Sequence, residues 1–299
     1  MKQNWKANLL LFGTALIWGF GFVAMNKGAD AMEPFTFNAL RMTLAALSVV
    51  PLIWWNDRQG QGIRWKSMNS TQKKTLLSGG FWCGTMLALG AVIQQFGLEQ
   101  GIEVGKAGFI AALYIIFVPL FGFFQKKKIG WLVWIAVALS TVGLYFLCVQ
   151  GSFLLAPADT LMIISSMFYA GHILVIDRFT QRTDCMKMSF VQFVTTALIC
   201  AVLAVLTEKP ALEDVWEGAL PLLYVGVLGS GVAYTMQILG QRDANPTVSS
   251  LILSLESVFS VLAGWLVLGD MLSKRELFGC AMMMSGIVLA QLPKREKER

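Results

Sequence analysis

Residues 104–124 read VGKAGFIAALYIIFVPLFGFF, an almost uninterrupted apolar stretch whose one charge is Lys106. As a helix rising about 1.5 Å per residue it is long enough for a hydrocarbon core of roughly 30 Å. The three residues Lys126, Lys127 and Lys128 follow almost at once. An apolar run closed by a basic cluster is the mark of a membrane crossing with its end in the cytoplasm.

Outward from this stretch the same pattern recurs. The other apolar runs cover 7–25, 35–55, 75–97, 130–149, 155–177, 187–206, 216–239, 247–268 and 276–292. With 104–124 they make ten, joined mostly by short linkers. Backbone polar groups inside a bilayer must be satisfied internally, which leaves helices and closed barrels. These runs are too long and too evenly apolar for barrel strands. The expected fold is an all-α integral membrane protein of ten transmembrane helices. The amino terminus, with Lys2 and Lys6 ahead of an apolar run, reads as a retained first helix because no A-x-A-like cleavage site follows it.

Composition agrees. Of 299 residues 56% are hydrophobic and only 14% charged, with a mean hydropathy of +0.62. A soluble domain carries about 25% charged residues. Too few charges remain to cover a water-exposed surface of this size, which excludes a soluble enzyme. The five cysteines (83, 148, 185, 200 and 280) and the single His172 have no zinc or CxxC spacing. No metal or cofactor is expected.

The net charge of +6 and pI near 9.1 raise the question of nucleic acid. Position answers it. Eighteen Lys and Arg fall on one side of the ten-run topology, among them the N-terminal pair, Lys126–Lys128 and the C-terminal Lys294, Arg295, Lys297 and Arg299. Four lie on the other side: Lys27, Lys209, Lys274 and Arg275. That bias places both termini in the cytoplasm of a multi-pass protein of the cytoplasmic membrane. The basic excess is spread over six segments and forms no nucleic-acid stripe. The bilayer is the expected partner, and the chain is expected as a monomer or homodimer.

A fixed offset of 151 aligns Trp18 with Tyr169, Arg41 with Gln192 and Leu47 with Leu198. An offset of 143 aligns Gln94 with Gln237, Gly97 with Gly240, Leu120 with Ala263 and Gly143 with Gly286. Two five-helix halves, 1–150 and 151–299, follow from this. Because five is odd, the second half is inverted in the membrane. Inverted halves around a shared site favour a carrier over a channel.

With these features the chain resembles the EamA-type permeases of the drug/metabolite transporter superfamily. The likeness rests on Leu16-Ile17-Trp18-Gly19 with Phe22, Pro34-Phe35-Thr36-Phe37 with Arg41, Ala107-Gly108-Phe109-Ile110, and Val118-Pro119-Leu120. It continues through Ser254-Leu255-Glu256-Ser257-Val258-Phe259 and Gly264-Trp265-Leu266-Val267-Leu268-Gly269-Asp270. The family signature usually has Pro after the Glu and Glu after the last Gly; here stand Ser257 and Asp270. The resemblance implies transport of small metabolites such as amino acids, with export the commoner direction.

Ionisable groups inside spans ask for a reason, since each costs about 2.5–3.5 kcal/mol to insert. Glu256 lies near the middle of its run, with Ser249 and Ser260 on the same face of a regular helix. It reads as a substrate-amine or proton site, or as an internal pairing group. Arg41, near the outer end of its run, reads as a headgroup anchor or helix partner, with a substrate carboxylate as the alternative. Lys106 reads as a snorkelling residue, with Glu99 and Glu103 as solvated partners. His172 reads as a hydrogen-bonded bundle residue or a proton relay. Gln94, Gln237, Gln95, Tyr114 and Tyr234 would converge between facing halves and suit a zwitterion; interhelical bonding is the competing role. Trp18 and Tyr169 read as cavity walls or packing groups. Gly80-x-x-x-Gly84, Gly97-x-x-x-Gly101-x-x-x-Gly105, Gly108-x-x-x-Ala112 and Gly226-x-x-x-Ser230 would let helices approach closely. Pro51 and Pro119 are candidate kinks, and Pro246 a helix start.

The expected function is a secondary transporter with a small-molecule substrate and no enzymatic activity. No Walker A, HExxH or GxSxG pattern occurs. A membrane-embedded enzyme or a non-transporting membrane scaffold are the alternatives.

Overall fold

The computed structural model describes residues 5–60, 62–100, 102, 104–126, 129–149, 156–263, 266 and 273–292. The signature stretch Gly264–Asp270 apart from Leu266, Gly101, Glu103, Lys127, Lys128, the carboxyl-terminal basic residues and the side chains of Phe22, Lys27 and Lys106 lie outside the described residues. All regular structure among the described residues is helical.

The helices are α1 (Trp5–Ala31), α2 (Pro34–Arg58), α3 (Ser70–Glu99), α4 (Val104–Ala111), α5 (Tyr114–Phe124), α6 (Trp131–Cys148), α7 (Pro157–Thr180) and α8 (Cys185–Thr207). A short α9 (Leu212–Glu217) leads into α10 (Ala219–Arg242), then α11 (Pro246–Leu253), α12 (Glu256–Ala263) and α13 (Lys274–Gln291). Seven stretches among the described residues are long and apolar enough to cross a membrane, and Trp131–Leu147 is a shorter apolar helix.

Starts are set by caps. Asn69 accepts from Gln72 N and Gln72 reaches back, a reciprocal box that satisfies two amides left over at a helix start. Ser273 and Glu276 repeat the device on α13. Pro246 takes the first turn of α11 behind Asn245, as expected of a helix-start proline. Pro51 lies inside a continuous α2, and Pro119 inside α5.

Apolar side chains point outward as well as inward. Leu47 is 62% exposed and its offset mate Leu198 61%. A soluble surface would not carry so many, with Phe124, Trp131, Val205 and Leu206 also exposed. Polar residues are buried instead, among them Gln94, Gln192, His172 and Lys187. This is the solvent logic of a bilayer protein.

The offsets of the sequence pair contacts with contacts. Thr14 Oγ1 donates to the Ala233 carbonyl at 3.1 Å, and Ser165 Oγ donates to the Gly90 carbonyl at 2.7 Å. Gly240 lies against Ala7 and Leu11 as Gly97 lies against Ala158 and Met162. Gly143 abuts the Gly279 backbone as Gly286 abuts that of Ala136. Helix α3 packs on α7 and α8, and α10 packs on α1 and α2.

The α2–α8 pair carries a matched fastening at each end. At the end of α2, Asp57 Oδ1 accepts from Lys187 Nζ at 2.6 Å, with Asp184 Oδ2 at 3.3 Å. At its start Glu208 accepts from Phe35 N, Thr36 N and Thr36 Oγ1 at 2.7, 2.7 and 2.6 Å. Asp57 and Glu208 are related by 151, as are Thr36 and Lys187 and also Glu33 and Asp184. A carboxylate on exposed first-turn amides suits the positive end of a helix.

Along α3 and its mate α10 the correspondence slips by one residue. Gly84 meets the Gln192 backbone as Gly226 meets that of Arg41, an offset of 142, whereas Gly90 and Ala233 are 143 apart. The extra residue of the second half falls in Tyr224–Val232, which is wound as a π-helix. A π segment is how a helix absorbs one inserted residue, and such segments concentrate at functional sites.

Candidate functional site

Between the halves lies a central cavity lined by charged, amide and aromatic side chains, among them Trp18, Arg41, Gln94, Tyr114 and Glu256. Helices α1, α2, α3, α7 and α10 wall it, and the two broken columns α4–α5 and α11–α12 meet at it.

Both columns break at equivalent points. The first turns at Ala112–Leu113 and the second at Ser254–Leu255, 142 residues apart. At each turn i→i+3 bonds replace helical ones: Leu113 N to Ile110 O and Ile115 N to Ala112 O; Leu255 N to Ile252 O and Ser257 N to Ser254 O. Ser254 Oγ also occupies the Leu251 carbonyl. The second column therefore breaks without the proline of the family signature. Ser249 and Ser260, expected on one face with Glu256, do not line the cavity that Glu256 lines.

Tyr114 and Glu256 sit just past the two breaks. The Tyr114 hydroxyl donates to Glu256 Oε1 at 3.0 Å, and Ser257 Oγ donates to the Gly108 carbonyl at 3.3 Å. Interrupted helices that bring polar groups to one central site are the pattern of many transporters.

Arg41 is 2% exposed and lines the cavity, so it is not a headgroup anchor. It starts seven residues into α2, but α2 packs lengthwise on α8 and its fastened start holds this turn inside the bundle. Arg41 Nε and Nη1 have no hydrogen-bond partner. Among the described residues the ion pairs are those of Lys187, with Asp57 and Asp184. Arg41's mate Gln192 is neutral and is bonded at 3.0 Å to His172 Nε2.

The remaining candidates, Gln95 excepted, also reach the cavity. Gln94 Oε1 accepts from the Tyr169 hydroxyl at 2.7 Å, while Gln237 Oε1 has no partner. Trp18 Nε1 donates to the Gly229 carbonyl at 2.7 Å and its ring lies 4.8 Å from that of Tyr234, edge-on. The π turn thus presents a backbone carbonyl to the cavity wall. His172 stands edge-on to Tyr234 at 5.8 Å. Gln95 is buried but does not line the cavity. Among the described residues no group of three His, Cys, Asp or Glu is placed to hold a metal.

The cavity leans toward the start of α2. Met25 and Val225 line it there. Their mates Ile176 and Cys83 are fully buried in one packed cluster with Leu76 and Met188, and do not line it.

A family model described as the EamA-like transporter family matches residues 5–149 and again 156–292. The chain belongs to this EamA-like transporter family. Among the relatives of this EamA protein is an uncharacterized transporter of Archaeoglobus fulgidus, 28% identical over 96% of this chain and 86% of that one. The Bacillus subtilis uncharacterized transporter YoaV is 22% identical over 95% and 96%. The Escherichia coli uncharacterized inner membrane transporter YedA is 21% identical over 95% and 90%. One solved crystal structure, 17% identical, superposes with a TM-score of 0.77 over 97% of both chains and shares the fold.

Three features of this EamA protein's site escaped the sequence reading. The helix breaks carry neither Gly nor Pro. The π segment has no composition of its own, although a one-residue slip in the repeat offset would have exposed it. Gly21 stands in no pattern of the sequence, and Ser230 stands only in a close-approach motif, yet both line the cavity.

Proposed function

We propose that this EamA protein is a secondary carrier that moves small metabolites such as amino acids across the cytoplasmic membrane by alternating access, with export as its direction. The observation that carries the proposal is the central cavity that holds one buried guanidinium, Arg41, and one buried carboxylate, Glu256, among amides and phenols. A zwitterion complements that set, and charged groups inside a membrane bundle mark substrate or ion pathways.

The paired contacts support two inverted five-helix halves, 1–150 and 151–299, forming ten transmembrane helices with both termini cytoplasmic. Under that reading Met25 and Val225 mark the open pole of the cavity and Ile176 and Cys83 the sealed one. Exchange of the two arrangements carries the site from one face to the other. Energy comes from gradients, the protein acting as a monomer or homodimer without a cofactor.

The test is flux of labelled amino acids in proteoliposomes. Glu256→Gln should cut transport severely while insertion and folding stay intact. Unchanged kinetics would remove Glu256 from the site. Reporter fusions after residues 60, 127 and 299 should all report cytoplasm, and a periplasmic carboxyl terminus would overturn the topology.

A further inference from the structure

The two poles of the cavity should be equivalent by the repeat, yet their side chains differ. Position 41 is Arg and its mate at 192 is Gln. Position 21 is Gly and its mate at 172 is His. His172 and Gln192 are bonded to each other at 3.0 Å. Their mates Gly21 and Arg41 are not bonded to one another, and both line the cavity.

Helix packing at this register does not require a cation, because the neutral Gln192 occupies the equivalent turn. The Arg41 guanidinium lies over the Phe37 ring at 5.9 Å, but with two unpartnered nitrogens its burial is costly unless a counter-charge arrives. Neither Arg41 Nε nor Nη1 finds one among the described side chains. The carboxylate of Glu256 instead holds Tyr114 at 3.0 Å.

Where His172 fills its pole with a ring, Gly21 leaves a recess. A Cβ built on Gly21 would meet only a ring carbon of Tyr224, at 3.4 Å. The nearby cavity walls are Trp18, Met25 and Val225, all apolar surfaces.

We propose that Arg41 binds the carboxylate of the transported molecule and that the recess at Gly21 receives its apolar side group, so that position 21 sets the size limit. This rests on the carrier reading above and fixes the orientation in which the cargo lies. The carboxylate supplies the missing counter-charge through charge-assisted hydrogen bonds. An amine on the same molecule then faces Glu256. Enlarging residue 21 shortens the recess without touching the charge anchor.

The experiment is flux into proteoliposomes of labelled L-alanine, L-leucine and L-phenylalanine, the matching carboxylic acids without the amine, and the matching amines without the carboxylate. The wild-type protein should move the carboxylate-bearing probes. Arg41→Gln, which copies the natural residue at position 192, should fold and lose at least about tenfold in kcat/KM for them, the scale of one hydrogen bond to a charged group. Arg41→Lys should restore part of the loss. Gly21→Leu should lower transport of leucine and phenylalanine at least about tenfold relative to alanine, the scale of losing one apolar side-group site.

Wild-type flux of the amines alone would contradict the inference and leave the carrier reading standing. So would an Arg41→Gln protein with unchanged KM, or a Gly21→Leu protein that slows all probes equally. A folded, reconstituted wild-type protein that moves no probe of any class would overturn the carrier reading of small metabolites, and this inference with it.

Discussion

The Tyr114 hydroxyl donates to Glu256 Oε1 at 3.0 Å, and so joins the break in one helical column to the break in its repeat mate. Ser257 and Gly108 make a second tie, Oγ to carbonyl at 3.3 Å. Two half-helix junctions that would each be weak points are thereby braced against one another at the cavity.

Removing that brace should separate stability from transport. Tyr114→Phe deletes the donor, and an interhelical bond of this kind contributes about 0.6 kcal/mol, at most about 1.7. A lowered thermal midpoint in detergent is expected. Glu256→Gln keeps an acceptor oxygen, so its midpoint should stay near wild type while its transport falls. Equal midpoints for Tyr114→Phe and wild type would show that the tie contributes nothing to stability.

Glycines divide by what surrounds them. A Cβ on Gly143 would lie 2.7 Å from the Gly279 carbonyl oxygen, against the backbone of another helix. Gly143→Ala should cost about 1–3 kcal/mol by overpacking, read as a lower midpoint or lower folded yield. A Cβ on Gly108 meets nothing within 4 Å. Gly108 therefore does not serve the close approach expected of it, and Gly108→Ala should stay within about 0.5 kcal/mol of wild type. Reversal of that order would contradict the α6–α13 packing.

The poles should exchange accessibility during turnover. Val225, itself buried, lines the cavity, while its mate Cys83 is buried away from it. In a background lacking the other cysteines, Val225→Cys should react with a small thiol reagent in the resting protein and Cys83 should not. Saturating substrate should accelerate labelling of Cys83 and slow labelling of residue 225. Parallel changes at both positions would contradict two alternating arrangements.

The membrane class was legible because lipid imposes a length and a charge deficit, and the 104–124 run met both. The pairing of Gly97 with Gly240 and Gly143 with Gly286 was legible because the two repeats reuse the same close contacts. The breaks were not. Pro119 drew attention to a kink, yet the first column turns six or seven residues earlier, where the neighbouring column supplies Ser257 and Glu256 as partners. That cause is tertiary and leaves no local mark. For Arg41, distance along the helix points to the headgroups as one of its roles, whereas the Glu208 fastening and the α2–α8 contact keep its turn inside the bundle.

In the proposed mechanism one buried site, reached alternately from two sides, carries the cargo. The most direct test is the concentration dependence of amino-acid flux through the purified protein in liposomes. Saturation at low concentration, abolished by Glu256→Gln, is the predicted result. Flux that rises linearly to very high concentration, indifferent to residue 256, would contradict it and describe an open pore instead.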